Sequence, residues 1–115
     1  MQVNCSTLSG IVRREPKRVV SPSGILHCQF SIEHRSHNTE AGCNRRVWCL
    51  VPVVMSFTVL QEIPEYIQVG SLLKVQGFLC GHKGHNSLYQ IVLHAKNIEL
   101  IKSGEYLNGT LFSSS

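Results

Sequence analysis

Cysteine, histidine, tryptophan and clustered arginine are the residue types in this chain that could carry chemistry. Cys80-x-His82-x-x-His85 offers three metal-ligand side chains, with His27-Cys28 and His34-x-x-His37 as further donors. Structural zinc prefers four ligands, usually as two close pairs. These spacings are irregular, and the alternation around Cys28 turns it inward, so no metal and no cofactor are expected. The five cysteines are odd in number and never spaced C-x-x-C, which reads as free thiols rather than a disulfide framework. The chain has no aspartate, which removes a Ser-His-Asp triad. Walker, Rossmann, H-E-x-x-H and G-x-S-x-G signatures are missing as well. Catalysis is not expected.

Binding of a polyanion fits better. Formal charge is +4, and seven of the 11 Lys and Arg residues lie in the first 46 positions with only three of the seven acids. Arg13, Arg14, Lys17 and Arg18 form one cluster. Arg35, Arg45 and Arg46 flank the stretch from Ser36 to Asn44, and Lys83 sits between His82 and His85. Each cluster alone reads most simply as a solvated face; three together favour a nucleic-acid surface.

The elements that must position these residues are short and strand-like. Leu8–Arg13 is a first strand with Gly10 at a bulge or sharp bend, and Ser21-Pro22-Ser23-Gly24 is a turn. Cys28, Phe30 and Ile32 then alternate with His27, Gln29, Ser31, Glu33 and Arg35, a strand with one dry and one wet face. Ser36–Asn44 reads as a loop. Arg45–Val54 is a third strand with Val47, Cys49, Val51 and Val53 inward, and with Pro52 at an edge or bend. Phe57–Ile67 is the one helical candidate, stopped by Pro64. Leu72–Leu79 and Leu88–Leu100 are the fourth and fifth strands, the last broken near Asn97. A glycine-rich basic loop, residues 81–87, joins them. Five strands with at most one short helix between strands 3 and 4 outline an all-β OB-fold barrel. Residues 1–104 form that single domain and 105–115 a flexible tail. No apolar run approaches the length of about 20 residues that a helical membrane span needs. The N-terminus lacks the pattern of a signal peptide, so a cytoplasmic location is expected.

Strand parity also predicts the binding face. With odd positions inward on strands 3 and 4, Trp48 points outward beside Arg46, and Phe78 points outward beside Lys74 and Gln76. Outward aromatics next to cations suit base stacking with phosphate contacts, worth roughly 1–3 kcal/mol per stacked base. A slip of parity that buries both rings, or a dimer interface over them, would leave the same pattern.

Leu8-Ser9-Gly10, Val20-Ser21-Pro22-Ser23-Gly24, His27-Cys28-Gln29-Phe30, Glu33-His34-Arg35-Ser36, Trp48-Cys49, Val69-Gly70-Ser71, Val75-Gln76-Gly77-Phe78 and Val92-Leu93-His94-Ala95 resemble the primosomal replication protein N (PriB) family. The likeness runs in register from about Leu8 to Gly104. It implies a homodimeric, non-enzymatic OB-fold protein that binds single-stranded DNA without sequence preference. It also implies binding to the PriA helicase, with recruitment of DnaT so that the replicative helicase is reloaded at abandoned forks. Trp48, Arg35 and Lys83 match the family's DNA contacts; Arg18, Ser21, Arg46, Phe78, Lys74 and His85 complete the expected nucleic-acid-binding set. The sequence departs from the family at Val19, His85 and Gln90, where lysines are expected, and at Cys43, where an aromatic is expected. These departures predict weaker DNA affinity and a flatter salt dependence. A histidine at position 85 predicts binding that tightens as the pH falls through the imidazole range. An OB-fold adaptor for protein partners with weak or lost DNA affinity is the alternative.

Overall fold

The computed structural model describes residues 2–58 and 62–103. Six strands carry the fold: β1 (Ser6–Val12), β2 (Lys17–Val20), β3 (Leu26–Glu40), β4 (Cys43–Phe57), β5 (Leu72–Lys83) and β6 (Tyr89–Lys102). β1 and β2 are two halves of one barrel strand. β1 pairs antiparallel with β5 from Ser6↔Gly77 to Ile11↔Leu72, and its end crosses to β3 at Ile11↔Glu33 and Val12↔Ile32. β2 then continues along β3 from Lys17↔Gln29 to Val20↔Leu26. The basic stretch Arg13–Pro16 interrupts the ladder, and Pro16 has no N–H to give it. A parallel contact, Val53↔Leu93 and Val54↔His94, joins β4 to β6 and closes the ring. The result is the closed five-strand OB-fold barrel that the sequence predicts.

Two glycines make closure possible. A side chain at Gly10 would press on Ile32 and on the Glu33 carbonyl, so β1 can cross to β3 only at a residue without Cβ. Gly10 therefore serves close approach rather than a bulge. A side chain at Gly77 would collide with the backbone of His94, at the register shift where Gln76↔Asn97 is followed by Gly77↔Ala95. Lys96 is the extra residue there. The predicted break near Asn97 is thus a bulge inside a continuous β6.

The core is built from the inward positions of the alternating strands. Val12, Cys28, Ile32, Val53, Leu73 and Leu93 are almost wholly buried. Pro52 lies one residue before β4 gains β6 as a second neighbour. No helix occurs among the described residues. Of the helical candidate, Phe57 ends β4, residues 59–61 lie outside the described residues, and Pro64–Ile67 is a turn closed by Ile67 N–H donating to the Pro64 carbonyl. Ile67 enters the core, and the Tyr66 hydroxyl donates to the Ile98 carbonyl at 3.0 Å. The expected tail, 105–115, lies outside the described residues.

Both segments read as loops are hairpin arms. β3 and β4 stay paired to Glu40↔Cys43 and reverse through Ala41 and Gly42, whose φ angles of 51° and 78° form a two-residue turn with both residues left-handed. β5 and β6 stay paired to Lys83↔Tyr89. Beyond the barrel both faces of an arm meet water, so no apolar alternation marks the strand.

Candidate nucleic-acid interface

The outer face of β3 and β4, where the first arm leaves the barrel, carries the densest polar arrangement. Parity holds along β4: Val47 and Cys49 are half-buried, while Trp48 keeps 59% of its surface exposed. Arg35 lies directly across from Trp48, and His37 across from Arg46. One carboxylate ties this group together. Glu33 Oε2 accepts the Trp48 indole N–H at 2.7 Å and an Arg35 guanidinium N–H at 3.0 Å, while Oε1 accepts from Arg13 Nε at 2.6 Å.

Only 13% of the Glu33 side chain is exposed. The Trp48 indole, then the Arg13 and Arg35 guanidiniums, draw its carboxyl down to about 2 from an ordinary 4.5, outweighing partial burial, which acts the other way. The carboxylate is therefore ionised at neutral pH and fixes one edge of the indole, leaving the ring open for stacking. Alongside runs a groove of about 390 Å³ lined by Arg35, Ser36, His37, Arg46, Val47 and Trp48.

The other expected site residues are dispersed. Phe78 points outward on β5, but its ring, 36% exposed, is stacked on His94 with centroids 5.1 Å apart and planes 9° apart. Lys96 Nζ lies 5.9 Å from the Phe78 centroid, within cation–π range. Lys74 pairs with Glu99 at 3.5 Å. Trp48 is six residues along β4 from the Val54↔His94 contact, about 20 Å at strand rise, so the two aromatics belong to separate patches. Lys83 and His85 lie on the second arm, Lys83 at the end of β5 and His85 in its turn. Arg18 is exposed on β2 opposite Cys28. Ser21 serves its turn: its Oγ accepts from Ile25 N–H at 3.2 Å and meets Ser23 Oγ at 2.9 Å. The Arg13–Arg18 cluster divides, with Arg13 on Glu33 and with Arg14 and Lys17 lining a separate groove of about 450 Å³.

Sequence reasoning passed over Glu33 as one more wet-face residue. The signal was present in Glu33-x-Arg35, same-face neighbours on one strand. It also missed that His94, rather than His85, stands near Cys80 and His82, because that meeting depends on the β5–β6 register.

A closed OB barrel with an open, pinned tryptophan among arginines on its outer sheet defines the class as that of the single-strand nucleic-acid binders. A family model described as "Another single-strand binding protein family" matches residues 4–97. The replication restart protein PriB of Erwinia tasmaniensis is 56% identical over 105 residues, 91% of this chain and 100% of that protein. PriB of Salmonella typhi is 55% identical over 102 residues, 89% of this chain and 98% of that protein. This chain belongs to the PriB family of single-strand binding proteins. Among solved structures, PriB of Ralstonia solanacearum superposes with a TM-score of 0.67 at 18% identity, covering 87% of this chain and 99% of that one. The single-stranded DNA binding protein of Thermus aquaticus gives 0.71 at 18% identity over 87% of this chain and 51% of that one. At such identity these two speak for the shared fold.

Proposed function

We propose that this chain is a non-enzymatic, single-stranded-DNA-binding accessory protein of replication restart. The observation that carries the reading is Trp48, exposed on the outer sheet with its indole edge held by Glu33 and with Arg35 across the ladder. A pinned ring accepts the face of any base, and the guanidiniums of Arg35 and Arg46 take the phosphates on either side. Lys83, on the second arm, extends the cationic track; Arg18 and His85 are its outlying members. Phe78 and Lys74 contribute least, since one is covered by His94 and the other faces Glu99. Support for a restart role comes from the curated relatives, which carry the name replication restart protein PriB.

The finer partners are part of the same proposal: the PriA helicase, held on DNA, DnaT, and a second copy of this chain. For the second copy, the first part of β1, Ser6 to Leu8, pairs in the sheet with β5 alone and leaves an edge that a like strand can pair, up to the Ser9 carbonyl, which accepts from His34 Nδ1–H at 2.7 Å. A cytoplasmic setting belongs to the same proposal and rests on the replication restart role that the relatives' name carries.

An adaptor with little DNA affinity is the second reading. It is favoured by exposed Val19, Cys43, His85 and Gln90, and by the apolar surface of Leu88, Tyr89 and Ile91 beside the second arm. Anisotropy titration of labelled oligo-dT at two salt concentrations separates the two. Salt-sensitive binding that depends on Trp48 supports the first, and no binding at low salt leaves the adaptor, to be tested by titration with PriA.

A further inference from the structure

We propose that Cys80, His82 and His94 form a surface site for a zinc-class divalent cation, on the outer face of β5 and β6 and independent of the tryptophan patch. Cys80 and His82 share the outward face of β5, and His94 reaches them from β6. One ligand atom from each lies within 4.8 Å of the others. The two imidazoles aim the same atom at the same place, Nε2 to Nε2 at 2.8 Å. Their centroids are 5.0 Å apart and their planes 18° apart, so the two rings meet edge to edge, nitrogen facing nitrogen. On its other side His94 lies flat against Phe78, which limits its rotation and holds that aim.

The donor set suits zinc, which takes imidazole nitrogen at about 2.0–2.1 Å and thiolate sulfur at about 2.3 Å in a tetrahedron. Those lengths place two nitrogens about 3.3 Å apart and nitrogen and sulfur about 3.6 Å apart. The imidazoles must therefore separate by about half an ångström and tilt out of line, and the sulfur must close by at most about 1.2 Å from its limit of 4.8 Å. Cys80 and His82 are exposed on the sheet surface and can rotate that far; His94 is the fixed member. As it stands, the Nε2–Nε2 contact accommodates one proton between two lone pairs. A cation replaces that proton: the thiol proton leaves to solvent, and each imidazole stays neutral with its hydrogen on Nδ1. Water fills the fourth position, so the site exchanges its ion readily, unlike a closed structural zinc site.

The test is a Co²⁺ titration of the full chain, purified without a polyhistidine tag and followed by absorption, with Zn²⁺ as competitor. The expected result is one ion per chain, a thiolate-to-cobalt charge-transfer band, and displacement of Co²⁺ by Zn²⁺. Cys80→Ser abolishes the band, and His82→Gln weakens binding by at least about tenfold. Both substitutions lie on exposed side chains, and unchanged thermal unfolding of the ion-free variants confirms that the fold is intact. A wild-type titration without the band overturns the site, as does a band that survives Cys80→Ser and so comes from another cysteine. One ion per two chains overturns it as well.

Discussion

Trp48 and Phe78 start from the same pattern, an outward aromatic on a half-buried strand with a cation on the same face, Arg46 for one and Lys74 for the other, and end in different surroundings. The indole is fastened at its edge and open on its face. The phenyl ring is covered on its face by an imidazole that continues into a second imidazole. Parity decides which way a ring points; the neighbouring strand decides whether that ring is still available. Across from Trp48 stands Arg35, paired to a carboxylate, while across from Phe78 stands His94, flat and uncharged enough to stack. Partial burial, and then the nearby His82, lower the affinity of His94 for a proton, which favours the neutral ring.

The contrast can be broken most directly at the two rings. Trp48→Ala is expected to weaken oligo-dT binding at least about tenfold, about 1.4 kcal/mol, in an anisotropy titration. An equal loss on Phe78→Ala would erase the distinction between the patches. Arg35→Ala with Lys83→Ala should flatten the plot of log affinity against log salt by about 1.4, since each lost single-strand phosphate contact removes about 0.7. An unchanged slope would leave both side chains outside the DNA track.

Smaller effects sharpen the difference. Phe78→Ala is expected to lower affinity less than about threefold but to cost about 1 kcal/mol of stability, from the lost stack and partly buried ring. Urea midpoints measure the stability cost, and a stability-neutral variant would show that the stack holds nothing in place. Last comes Glu33. Its carboxyl sits at about 2 when folded against an ordinary 4.5. Its contribution is therefore complete above about pH 4.5 and lost as the pH falls toward 2. The midpoint gap between wild type and Glu33→Gln should accordingly narrow between about pH 5 and pH 3. A constant gap would mean that the carboxylate charge is not what holds Trp48 and the arginines.

Much of this was readable from residue order. The alternation of Cys28, Phe30 and Ile32 and the odd-numbered valines of β4 set the inward faces, and with them the outward direction of Trp48 and Phe78. The motifs from Leu8 to Ala95 carried the family. Periodicity failed where its physical cause was missing. The arms beyond Ser36 and Leu79 have water on both faces, so they looked like loops. β2 is a four-residue strand with every side chain exposed and had no pattern to show.

Local sequence thus sets strand direction, turn positions and which side of each strand is dry, because a period of two and the chemistry of Gly and Pro act within a few residues. Pairing across the barrel settled the rest. Glu33 became a hub because β1, β3 and β4 bring Arg13, Arg35 and Trp48 to one carboxylate. His94 met His82 because β5 and β6 share a register bulged at Gly77. Apart from Arg35, a neighbour of Glu33 on β3, both meetings join residues 12 or more positions apart, which no local preference brings together; the hydrogen-bonded register of the closed barrel does.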